Sequence, residues 1–144
     1  GIKVNQAMND GATALYIASQ NGHSGVVKLL LGVEDIKVNQ AYNNGATALF
    51  IASQQGHSEV VALLLGVEGI NVNYAENDGA TALFIASQNG HSGVVKLLLG
   101  TEGININAAF EGQTPLARAK QNGHTKIVQL LTKARRRIRR KKIN

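Results

Sequence analysis

The chain has 144 residues, 44% of them hydrophobic, and a formal net charge of +6. This is enough apolar material for one domain with a sizeable buried core, and it excludes a disordered chain. Cysteine is absent, which excludes disulfides, thiolate metal sites and thiol nucleophiles together. A reducing, intracellular compartment fits that usage, cytoplasmic or, in a eukaryote, also nuclear. No apolar run approaches the ~20 residues that span a bilayer, and no signal peptide opens the chain.

Taken in order, the chain repeats itself. Residues 1–10 begin GIKVN, which returns as DIKVN at 35–39 and GINVN at 69–73. They read as the closing hairpin of a preceding unit whose helices are absent, so a fragment of a longer array is expected. Residues 11–44, 45–78 and 79–111 are three copies of one unit. The strings at 11–32 and 79–100 differ only at Tyr16 against Phe84, and 45–66 departs from the latter only at Gln55, Glu59 and Ala62. A divergent fourth copy occupies 112–132. The leading glycines Gly11, Gly45, Gly79 and Gly112, and the histidines His23, His57, His91 and His124, step by 34, 34 and 33 residues.

Each unit reads as helix, turn, helix, then an extended hairpin. Thr13, Thr47, Thr81 and Thr114 suit N-caps, and Pro115 suits a first helical position, where its missing donor is not needed. Helix one is expected from Ala14 to about Asn21, ended by Gly22. Helix two should run from Ser24 to Leu31, its Val26, Val27, Leu30 and Leu31 forming a wide apolar stripe. Helices this short are marginal alone in water. Copies must therefore stack, in an all-α solenoid with short hairpin loops. Three consistent units also lead us to expect a thermostable protein.

Gly79, Thr81, Leu83, Ala86, Gly90, His91, Val94, Val95 and Leu97 to Leu99, followed by Gly103, Ile104, Ile106 and Asn107, resemble the ankyrin repeat. The resemblance covers residues 1–132 as four tandem units. A tetratricopeptide array shares the spacing but should lack the Gly-His and Val-Asn elements and have longer helices. The family's proline is here Ala14, Ala48 and Ala82, and its histidine after the leucine is Tyr16, Phe50, Phe84 and Ala117, which reads as repacking. The fourth unit reads as a C-terminal cap: Arg118, Lys120, Lys126 and Thr132 replace Ile17, Ser19, Gly25 and Leu31 and would wet its outer face.

The resemblance implies a module that binds another protein, not an enzyme, and a monomer. Like groups spread along a line cannot converge on one reacting atom, so no catalytic residue is expected. No cofactor or metal is expected either, since equivalent histidines lie too far apart to share an ion. Each histidine is expected to bond loop backbone within its own unit. Asn5, Asn39, Asn73 and Asn107 would tie neighbouring loops, as in the family. Tyr16, Phe50 and Phe84 read as core.

In the family, the hairpin turns and helix one line a concave surface. The candidate anchors there are Met8, Tyr42, Tyr74 and Phe110, although packing of hairpin on hairpin is an equal reading for them. Beside them lie Asn9, Asp10, Asn43, Asn44, Asn77, Asp78, Glu111 and Gln113. On helix one, Gln20, Asn21, Gln54, Gln55, Gln88 and Asn89 match the family's variable pair before Gly-His. A structural spacer with no ligand of its own is the alternative.

Residues 133–144 form a basic extension. Lys133, Arg135, Arg136, Arg137, Arg139, Arg140, Lys141 and Lys142 are eight of the fifteen basic residues, leaving residues 1–132 at −2. Ile127, Leu131, Ala134 and Ile138 are spaced so that helix two can continue with its stripe buried. The tail is then either a solvated cap, with cations against the helix dipole, or a site for nuclear import, anionic lipid or nucleic acid.

Overall fold

The computed structural model describes residues 3–143. Among these residues eight helices form pairs: α1 (Ala14–Gln20) with α2 (Ser24–Leu31), α3 (Ala48–Gln55) with α4 (Ser58–Leu65), α5 (Ala82–Asn89) with α6 (Ser92–Leu99), and α7 (Pro115–Gln121) with α8 (Thr125–Ile143). First helices pack on first helices and second on second, so the array is two layers deep. This is the expected all-α stack.

Local chemistry sets the helix ends. Each threonine hydroxyl accepts the amide three residues on: Tyr16, Phe50, Phe84 and Ala117, at 3.1–3.2 Å. Helices α3 and α5 stop where Gly56 and Gly90 turn left-handed, at φ 77° and 80°. Second helices carry the main core. Val27, Val60, Val61, Leu64, Val94, Val95 and Leu98 are fully buried between the layers. A second apolar seam lies under the turns, built from Tyr16, Phe50 and Phe84 with Ala12, Ala46, Ala80, Ile51 and Ile85. The rings that replace the family's histidine are therefore core, as read from the sequence.

Two expectations change. The hairpins contain no strand among the described residues; only the isolated bridges Ala75–Thr81 and Phe110–Gln113 form. Each turn is closed instead by a pair of backbone bonds, as where Tyr42 N–H donates to Ala46 O and Gly45 N–H to Tyr42 O, both at 2.8 Å. The histidines, moreover, bond the preceding unit and not their own. His57, His91 and His124 donate from Nε2 to the carbonyls of Gln20, Gln54 and Gln88, each at 2.9 Å. A carbonyl only accepts, so Nε2 carries the hydrogen.

The two ends differ. Ser19, Ser53 and Ser87 are fully buried, whereas Lys120 at the equivalent place is exposed, as a wetted cap requires. Arg118 does not serve that purpose. It turns back on the third repeat, with its guanidinium 5.0 Å from the centre of the Phe84 ring. There it bonds Gln113 and Gln88 and lies 3.7 Å from Glu111.

Candidate interaction surface

The first three turns stack into a row because each one bonds the next. Asn43 N–H donates to Asp10 O at 3.1 Å, and Asn77 N–H to Asn44 O at 2.9 Å. The Asn77 side-chain amide donates to Asn43 O at 3.1 Å, and that of Asn43 to Asn9 O at 3.4 Å. Below them the loop asparagines grip the next repeat from both sides. Asn39 donates to Gly69 O at 2.8 Å and accepts from Asn71 N–H at 2.9 Å. Asn5 and Asn73 do the same one repeat before and after.

Within a turn, the side chains of Asp10 and Asn44 accept from Ala12 and Ala46 two residues on. In the third turn Glu76 takes over, accepting from Ala80 N–H at 3.0 Å. The carboxylate of Asp78, the counterpart of Asp10 and Asn44, makes no hydrogen bond among the described residues and stands exposed.

The aromatic anchors separate into two kinds. Tyr42 stacks on Tyr16, with centroids 4.8 Å apart, and Phe110 meets Phe84 edge-on at 5.1 Å. Both are half-buried at one turn position, where the first and third turns carry Met8 and Glu76. Met8 is 62% exposed with no ring packed on it among the described residues, and Tyr74 lies two residues before the equivalent position in its unit. Tyr42 and Phe110 thus pack on helix-one rings, where the sequence reading weighed hairpin against hairpin.

The Tyr42 hydroxyl lies 3.2 Å from Asp10 Oδ2. That hydrogen bond, followed by burial and the carboxylate's charge, raises the phenol above its ordinary range. Burial raises Tyr16 likewise, with smaller contributions from Tyr42 and Asp10.

Between the second and third repeats this surface opens into a groove of about 350 Å³. Its floor is Phe50, Ile51, Ile85 and Phe110; Asn44, Glu76 and Asp78 reach it from the turns, and Gln54 and Gln88 from the helix ends. Five of the residues singled out in the sequence (Asn44, Gln54, Asp78, Gln88 and Phe110) meet there. Sequence reasoning missed Ile51, Ile85 and Glu76. The two isoleucines recur at one helix-one position and read as core, which they nearly are; Glu76 interrupts a position otherwise apolar. Gln20, Asn21, Gln55 and Asn89 lie along the exposed helix ends outside the groove, and the backbone carbonyls of Gln20, Gln54 and Gln88 accept from histidines.

Stacked helix pairs with turns bonded one to the next define a helical-repeat solenoid, a scaffold that presents a surface. The family model described as ankyrin repeats (3 copies) matches residues 1–75 and 67–142, and the chain belongs to the ankyrin repeat family. Proteins of this family are generally protein–protein interaction modules and not enzymes. A search of curated proteins gives no match.

Proposed function

We propose that the chain holds a protein partner on its turn and helix-one surface, centred on the groove between the second and third repeats. The observation that carries this reading is the groove's make-up. It has an apolar floor of four large side chains, rimmed by amide and carboxylate groups from three repeats. Apolar pockets ringed by a few polar groups are where binding energy concentrates. Met8, Asn9 and Asp10 at one end of the row, and Glu111 and Gln113 at the other, extend the contact. Among the described residues the row carries Asp10, Glu76, Asp78 and Glu111, with Arg118 beside Glu111. It therefore suits a partner segment bearing lysine or arginine.

A photo-crosslinking side chain placed at Gln54 reports on the groove, and one at Ala62 on the exposed side of α4 serves as control. The partner should be trapped from Gln54 and not from Ala62. Trapping from Ala62 alone would move the site to the other layer. A chain that co-purifies with no protein at all would leave it a spacer.

A further inference from the structure

The last helix carries a charge that the turn surface does not use. Second helices in the first three repeats have 8 residues, whereas α8 has 19. The additional turns extend it by about 16 Å. Ile127, Leu131 and Ala134 are buried, and Ile138 packs beside them where α8 borders Ile104 and Ile106. This seating against α6 and α7 fixes the helix's rotation. The opposite side presents Lys133, Arg136 and Arg140, flanked by Arg137 and Arg139, all exposed. The helix has no acidic residue, and none of its cations forms an ion pair among the described residues. Like charges held this densely on a rigid rod repel one another until an anionic surface lies against them.

We propose that this face docks the protein on a bilayer rich in anionic lipid. Three observations select a bilayer over a nucleic acid. First, the helix is seated against α6 and α7 as far as Ile138 and up to that point offers its cations from one side, which suits a plane. Reading a DNA groove instead places a helix between two backbone walls about 12 Å apart. Second, the extension has no aromatic side chain on which a base could stack. Third, Ile143 is 83% exposed and falls three, four and seven residues after Arg140, Arg139 and Arg136, on the same side. An isoleucine gains by entering the acyl boundary and gains nothing from a phosphate backbone. The docking face belongs to the second-helix layer, so the turn and helix-one surface stays uncovered.

The test is co-sedimentation of the full chain with vesicles of phosphatidylcholine, alone or mixed with phosphatidylserine. The protein should pellet only with the mixed vesicles and be released as ionic strength approaches about 1 M, where the screening length falls to about 3 Å. Each cation near such a surface is worth about fivefold in partitioning, so Arg136→Gln with Arg140→Gln should lower it about 25-fold. Ile143→Ser should lower it severalfold, with the helical circular dichroism of both variants unchanged. Equal pelleting with both vesicles, or variants that partition like the parent, would overturn the proposal. Duplex DNA that strips the protein from mixed vesicles at equal phosphate concentration would overturn it in favour of a nucleic acid.

Discussion

His91 and Gln54 belong to different repeats, and the imidazole Nε2 of the one donates to the carbonyl of the other at 2.9 Å. The ring is thereby laid over Gly56, whose φ is 77°, and a Cβ added there would stand 2.6 Å from Nδ1. The glycine meets two separate demands: a left-handed turn, and room for the next repeat's histidine. Gly123 meets only the first, with φ 73° and nothing within 4 Å of its Cβ position. Gly123→Ala should therefore cost about 1 kcal/mol. Gly56→Ala should cost about 3 kcal/mol, since overpacking adds to the backbone strain. Urea unfolding at unchanged slope measures both. In a His91→Ala background the excess at Gly56 should vanish; if it persists, the imidazole is not what the glycine makes room for.

The loop asparagines predict a dependence on position. Asn39 bridges two repeats through bonds at both ends of its amide. Asn107, last in the series, makes no such bridge among the described residues. Its own backbone N–H donates to the side chain of Asn105 at 3.1 Å. Asn39→Ala should lower stability by about 2 kcal/mol, near 1 for each bond lost, and expose the Asn71 amide to faster hydrogen exchange. Asn107→Ala should stay within about 0.5 kcal/mol of the parent. Equal losses at the two sites would show that the asparagines act within their own loop.

Tyr42 should titrate late. Its hydrogen bond to Asp10 favours the neutral phenol, so its pKa is raised in the folded chain. The sign follows: this contribution to stability is complete below the unfolded tyrosine pKa of about 10 and is lost as pH rises through the higher folded value. In a chain with Tyr16→Phe and Tyr74→Phe, ultraviolet absorbance reports Tyr42 alone. Asp10→Ala should then shift its ionisation back toward lower pH, because it removes the hydrogen bond and the negative charge together. An unmoved titration would mean that Asp10 does not set it.

The helices were legible because their signals are local. A threonine cap, a glycine stop and an apolar stripe all lie within one unit and recur at a fixed step. Contacts between units were less so. The spacing of His57 and His91 is the same whether each ring bonds its own loop or the one before, and only the stacking decides. Arg118 was read as a wetted edge because a charge in a terminal repeat suggests solvent. Its length instead carries the guanidinium back over the Phe84 ring, where carboxamides and Glu111 receive it. Ile51 and Ile85 escaped notice for a related reason. At 5% and 8% exposure they have the pattern of core residues and still form the floor of the groove.

The first repeat has no neighbour before it among the described residues, and this predicts opposite outcomes for one substitution at two equivalent positions. Val60 in α4 is fully buried, while Val26 in α2, one repeat earlier, is 48% exposed. Ala14 and Ala48 differ the same way, exposed in the first repeat and buried in the second. A lysine at Val60 would place an ammonium in the apolar core with no carboxylate to receive it. Val60→Lys should cost more than about 4 kcal/mol or prevent folding. At Val26 the long stem can lie along the apolar face and keep its charge in water. Val26→Lys should therefore change the denaturation midpoint by no more than about 0.5 kcal/mol equivalent. If Val26→Lys proves as damaging as Val60→Lys, then in solution something covers that face, and the change in sedimentation coefficient between the two proteins would show whether it is a second copy of the chain.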